Sequence, residues 1–368
     1  MTDGQPTEPT ATEQPPTSLK TDPARPPEAP TYDGSTVDGP PSGLPPTSGP
    51  PGSGVFSLDG RPGAGLYLLA WLLSGGGIAL AFIGFEAPQG LLILLGLAAL
   101  ALGLATGAGY QVLARRSRPA EAYRGPSPLL LFALVIVVVN LVGGIVSVVS
   151  GGRGLDIDQP DVFLTGLLIQ VAAYVGLVWL FVVRTGALSW SDLVNGNRPP
   201  QHDRLAALGT GIGVMAPVTI IALIVGGLAA LLLDARPPQV VPIPDTAIDV
   251  AIDFMAAVVL APLGEELFFR GYALTAWWRD LGARSALTRS AVFFALVHIL
   301  NLQVDPGDFF LGLRGALVLL IVLLPIGFVL GGLFIRRGLV ASVAAHMTYN
   351  GIIFGLLLLS TTLPTPPG

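Results

Sequence analysis

Residues 250–278 read VAIDFMAAVVLAPLGEELFFRGYALTAWW, an apolar run that carries Glu265, Glu266 and Arg270 in its second half. About 20 mostly apolar residues suffice to cross the hydrocarbon of a bilayer as a helix. An ionisable group at that depth costs roughly 3 kcal/mol or more, so it persists where it works. The run is therefore read as a transmembrane helix with a functional centre inside it. Asp249 and Asp253 stand at its start, where they are expected to meet water.

Eight further apolar runs surround it, at about 65–85, 90–113, 128–150, 162–183, 205–233, 285–301, 315–335 and 339–361. The run at 285–301 is the shortest and the least certain as a crossing. The fold class that follows is all-α, a polytopic transmembrane helical bundle of about eight or nine spans. Composition agrees: of 368 residues, 52% are apolar and 12% charged, with a mean hydropathy of +0.69. A water-soluble domain has about twice that share of charge, so a soluble enzyme is excluded. With 19 Lys and Arg and no basic block, so is a protein that tracks nucleic acid. Cysteine is absent, which removes disulfides, a catalytic thiol, thiolate metal sites and lipidation on cysteine.

The first 54 residues differ in kind: they hold 14 prolines and almost no large apolar side chains. Such a segment cannot bury enough surface to offset its ordering entropy and is expected to be disordered. It carries seven acidic residues against Lys20 and Arg25, a balance equal to the net charge of −5 of the whole chain. No basic start followed by an apolar core stands near Met1, so no secretory signal peptide is expected. The expected division is a disordered Pro-rich cytoplasmic tail at 1–61, N-terminal transmembrane helices at 62–244, and a transmembrane core at 245–363 that holds Glu265, Glu266 and Arg270.

Alternate connections between the runs differ in charge. One set holds Arg115, Arg116, Arg118, Arg124, Arg184, Arg198, Arg204, Arg279, Arg284, Arg289, Arg336 and Arg337. The other holds Arg153, Arg236 and Arg314 beside acids such as Asp156, Asp158, Asp161, Asp305 and Asp308. This alternation places the N-terminus in the cytoplasm and the C-terminus outside. Arginine in preference to lysine, without an organellar leader, points to a bacterial plasma membrane.

Within the spans, Glu266 and Arg270 are four apart on one helix and can pair. Glu265 points about 100° away and lacks that partner, which leaves it free to react. His298 lies in the seventh run, and His346 and Asn350 share one face of the ninth. Measured from the arginines at the ends of their helices, Glu265 and His298 each lie roughly 21 Å deep and His346 roughly 14 Å. His202 lies in an arginine-bearing loop and reads as a solvated surface residue. Asn140 and Gln170, single polar residues in spans three and four, read as interhelical hydrogen-bond partners.

The sequence Glu265-Glu266-x-x-x-Arg270, then Phe294-x-x-x-His298, then His346-x-x-x-Asn350, each on its own span, resembles the three motifs of the CPBP family. These are intramembrane proteases related to the type II CAAX prenyl endopeptidase and to bacteriocin-immunity membrane proteins. The resemblance covers about residues 245–360. It implies peptide-bond hydrolysis in the membrane, acting on a membrane-embedded or membrane-associated protein or peptide. By motif position, Glu265 is the general base and His298 holds the water. His346 and Asn350 donate to the oxyanion, and Glu266 and Arg270 anchor the helix and tune Glu265. Phe294 is expected to pack beside the cavity. Two histidines and a glutamate are also the donor types of a three-ligand zinc site, which here would be Glu265, His298 and His346. No HExxH sets two of them on one face, and the metal-free version is favoured. Two other classes compete: a non-enzymatic immunity or scaffold protein that binds a peptide or lipid at the same polar site, and an ion-coupled transporter. The latter would favour a repeated architecture, and the first five spans contain no duplicate of the Glu265 region.

Overall fold

The computed structural model describes residues 57–58, 61–151, 159–199, 203–235, 242–300, 302 and 309–362. Most of the expected tail, His202, Arg153, Arg236, Asp156, Asp158, Asp305 and Asp308 lie outside the described residues. Among those described, a two-residue antiparallel ladder pairs β1 (Ser57–Leu58) with β2 (Arg61–Pro62). It falls at the end of the segment expected to be disordered, on either side of Asp59-Gly60, a sequence that favours hairpins.

Helices account for the rest: α1 (Ala64–Glu86), α2 (Gly90–Ala114), α3 (Pro128–Val149), α4 (Pro160–Val183), a short α5 (Trp190–Asn195), α6 (Arg204–Leu233), α7 (Ala247–Leu281), α8 (Ala283–Leu300), α9 (Phe309–Arg337) and α10 (Leu339–Thr362). All but α5 are long and apolar enough to cross a membrane, so the nine expected spans are present and the protein is a multi-pass membrane protein. Local signals set their starts. Pro128 and Pro160 open α3 and α4, where a missing N–H costs nothing. Reciprocal capping boxes, Ser189 with Asp192 and Thr246 with Asp249, open α5 and α7.

Packing places α7 at the centre, against α4, α8 and α10. Helix α6 lies on α9 and α10, and α1 pairs with α2. The α1–α2 contact runs through Gly77 and Gly96, where an added Cβ would meet the partner's backbone. At one end of the bundle Arg118 forks onto Asp280 at 3.0 and 3.1 Å, and Arg279 reaches Asp192 at 2.8 Å. These pairs gather three of the arginine-bearing connections at the same end, as the alternation of charge requires.

Helix α7 departs from a regular spiral. Phe254–Leu260 and Leu267–Leu274 are π-helical, on either side of one α-helical turn at Ala261–Glu266. Each change of hydrogen-bond register leaves backbone carbonyls short of an in-line partner, and hydrocarbon supplies none. Side chains of neighbouring helices fill the deficit: Asn350 Nδ2 donates to the Ala257 carbonyl at 2.8 Å and Ser290 Oγ to that of Phe269 at 3.1 Å.

Three expectations are corrected. Asn140 bonds back to Ile136 O on its own helix, and Gln170 bonds Tyr174 on its own helix, so neither bridges two helices. A polar side chain without a partner across the interface satisfies itself one turn away. Asp253 does not meet water: it is fully buried, and neither carboxylate oxygen has a hydrogen-bond partner.

Candidate active site

The α-helical turn of α7 presents its two carboxylates to different surroundings. Glu266 is fully buried and takes three partners. Arg270 Nη1 donates to Oε1 at 2.7 Å, His346 Nδ1 lies 2.9 Å from the same oxygen, and Ser342 Oγ donates to Oε2. The Glu266–Arg270 pairing read from the four-residue spacing is thus present. The sequence reading missed Ser342, although its position four residues before His346, itself four before Asn350, puts it on the same polar face of α10.

Arg270 is buried with its guanidinium carbon 4.1 Å from the centre of the Phe294 ring. Its Nε and Nη2 have no hydrogen-bond partner, and the ring face compensates part of that deficit. Phe294 also meets the rings of His298, 4.4 Å away, Phe269, 5.5 Å away, and His346, 5.7 Å away. Phe294 does pack beside the site, as expected, with the buried cation over its ring.

Glu265 faces the histidines. Its Oε2 lies 3.7 Å from His298 Nε2 and 3.9 Å from His346 Nε2. Three side chains from α7, α8 and α10 therefore converge on one point, as the sequence reading required. Each imidazole is fixed from behind. His298 Nδ1 is 2.8 Å from the Phe294 carbonyl, which can only accept, so Nδ1 carries the proton. His346 Nδ1 is held by Glu266 in the same manner. Both Nε2 atoms are thereby turned toward Glu265. The side chain of His298 is 30% exposed, that of Glu265 16% and that of His346 5%, so the cluster opens on the His298 side.

Asn350 stands one turn beyond His346, but one amide N–H is committed to Ala257 O. Of the six residues expected at the site, five form this connected cluster, and Asn350 touches the π-helical backbone of α7 instead. The separations from Glu265 to the histidines exceed the roughly 3.3 Å between ligands of a tetrahedral zinc site. Among the described residues no three His, Asp or Glu side chains are arranged to hold a metal ion. The ligand set entertained from the sequence does not fit, and no step below passes through a metal. What the arrangement can do is hold a water: Glu265 Oε2 and His298 Nε2 are acceptors set one water apart.

Residues 247–352 match the family model described as type II CAAX prenyl endopeptidase Rce1-like, and this stretch is a domain of that family. It runs from the start of α7 into α10 and contains every site residue named from the sequence. No curated protein and no solved structure matches the chain.

Proposed function

We propose that the protein is an intramembrane endopeptidase in which Glu265 activates a water against a peptide bond of a membrane-embedded or membrane-associated protein. The observation that carries this reading is the approach of two back-oriented imidazoles to the unpaired carboxylate, inside a domain of a protease family. A water between Glu265 Oε2 and His298 Nε2 would donate to both, which leaves its lone pairs to attack the carbonyl carbon. Glu265 would take the proton as the C–O bond forms and return it to the leaving amine as the C–N bond breaks. The uncommitted N–H of Asn350 would donate to the oxyanion, as would His346 Nε2 once the ring, whose Nδ1 proton is held by Glu266, carries a second proton; one fixed donor contributes about 3 kcal/mol. Glu266 and Arg270 would hold the α7 turn and, through His346, set the geometry around Glu265.

The rest of the reading follows from charge and hydropathy. The arginine-bearing end of the bundle would face the cytoplasm in a plasma membrane, with the Pro-rich tail on that side. The chain would divide into that tail (1–61), four or five N-terminal spans (62–244) and the catalytic core (245–363).

The test compares membrane peptidomes of cells that express the wild type or Glu265→Gln. Fragments that appear with the wild type and vanish with the variant, at equal expression and insertion, are expected. An unchanged peptidome would overturn the assignment and favour the binding-protein alternative.

A further inference from the structure

At the arginine-bearing end of the bundle, α5, α6 and the junction of α9 with α10 leave a cavity of about 70 Å³ between them. Arg204 and Arg337 line it, with Val194 and Asn195 from α5 and Gly338 from the junction. Among the described residues no carboxylate lines it. The acids beside these residues in sequence are engaged elsewhere. Asp203 Oδ1 accepts from Ala206 N at 2.8 Å on its own helix, and Asp192 pairs with Arg279 at 2.8 Å. Arg204 makes no hydrogen bond or ion pair among the described residues. The wall is closely packed where it meets the family domain. Gly338 has a φ of +77°, and a Cβ there would lie 2.9 Å from the Val194 carbonyl oxygen. The carbonyl oxygen of Leu193, one residue earlier, stands 2.9 Å from where a Cβ of Gly271 on α7 would be. The cavity thus sits at the joint through which α5 touches both α7 and α10.

Two cations that share one small space repel. An anion between them removes that cost, and a guanidinium fork matches a phosphate two oxygens at a time. Position selects where the phosphate comes from. Arg204 is the first residue of the 30-residue α6 and Arg337 the last of the 29-residue α9, so both stand where hydrocarbon gives way to headgroups. Leu208 and Ile212 follow Arg204 at four-residue steps along α6; both are exposed and lead from the cavity toward the hydrocarbon. We propose that this cavity binds the phosphate of an anionic membrane lipid, with Arg204 and Arg337 on the phosphate oxygens and an acyl chain along Leu208 and Ile212. Basic pockets between transmembrane helices take headgroups of this kind. The space suits a group of a few heavy atoms and is too small for a nucleotide. The bound lipid joins α5, α6 and α10, so it stabilises the folded protein by mass action.

The test melts the full-length protein in a neutral detergent with added phosphatidylcholine, phosphatidylglycerol or inorganic phosphate, followed by intrinsic fluorescence. Phosphatidylglycerol should raise the melting temperature at least about 4 °C above phosphatidylcholine at equal mole fraction. Arg204→Gln and Arg337→Gln, both at exposed side chains, should each lose at least half of that rise. Arg184→Gln, at the end of α4 and outside the cavity, removes the same charge and should keep it. Native mass spectrometry gives a second readout: the wild type should retain one more phosphatidylglycerol than the double variant Arg204→Gln, Arg337→Gln. Equal melting in the two lipids overturns the proposal. So does an equal loss in Arg184→Gln, which would make the effect one of net charge. A rise of the same size with inorganic phosphate alone would assign the cavity to a soluble phosphate and overturn the lipid. No readout involves cleavage, so the outcome is independent of the hydrolytic reading.

Discussion

Replacement of Arg270 by methionine should cost about 3–5 kcal/mol of stability, because it leaves a buried carboxylate without its counter-charge. The two groups lie 2.7 Å apart and neither is exposed. At an effective dielectric of about 20, unit charges at that distance attract by roughly 6 kcal/mol. Ser342 and His346 remain on Glu266 after the substitution and offset part of the loss. Removal of the cation from the Phe294 face takes back about 1–2 kcal/mol. Glu266→Gln should cost a similar amount for the mirror reason: it strands a guanidinium whose Nε and Nη2 are already unbonded. The double variant Arg270→Met, Glu266→Gln carries neither charge and should recover at least half of the loss of either single change. Thermal unfolding of the purified proteins in one detergent, followed by intrinsic fluorescence, measures all four. The reasoning is refuted if both single variants melt with the wild type, or if the double variant melts below both.

Other regions give independent checks. Gly211 of α6 packs so closely on α10 that an added Cβ would strike the Ala341 carbonyl and crowd Ala344. Gly211→Val should therefore destabilise by about 1–3 kcal/mol in the same melting assay. Asp253 is buried with both oxygens unbonded, so Asp253→Asn, which removes the buried charge at similar volume, should melt at or above the wild-type temperature; a drop would assign the carboxylate a partner or a ligand. Because no three His, Asp or Glu side chains among the described residues suit a metal ion, o-phenanthroline should leave cleavage by the purified protein unchanged. Complete loss that zinc restores would reverse that conclusion.

The spans were legible because hydropathy is a property of each segment alone, and bilayer thickness sets its length. Even the weakest run, 285–301, is the 18-residue helix α8. The Glu266–Arg270 pair was legible for the same local reason, since side chains four apart meet on one helix. What could not be read was the internal register of α7. Nothing in the residues of Phe254–Leu260 or Leu267–Leu274 announces i→i+5 bonding, since that bonding depends on donors such as Asn350 and Ser290 from helices distant in sequence. The link between the two carboxylates was hidden for a related reason. A helical wheel separates Glu265 from Glu266 and suggests that one anchors while the other reacts. It cannot show that His346 inserts between them, with Nδ1 on Glu266 and Nε2 toward Glu265. That insertion makes the buried ion pair part of the site: Arg270 fixes Glu266, Glu266 fixes His346, and His346 faces the carboxylate that would do the chemistry. An Arg270 variant that still folds should therefore lose activity through His346, which Arg270 is not seen to bond. Spacing within one helix cannot reveal such a dependence, because the connecting atoms belong to two, α7 and α10.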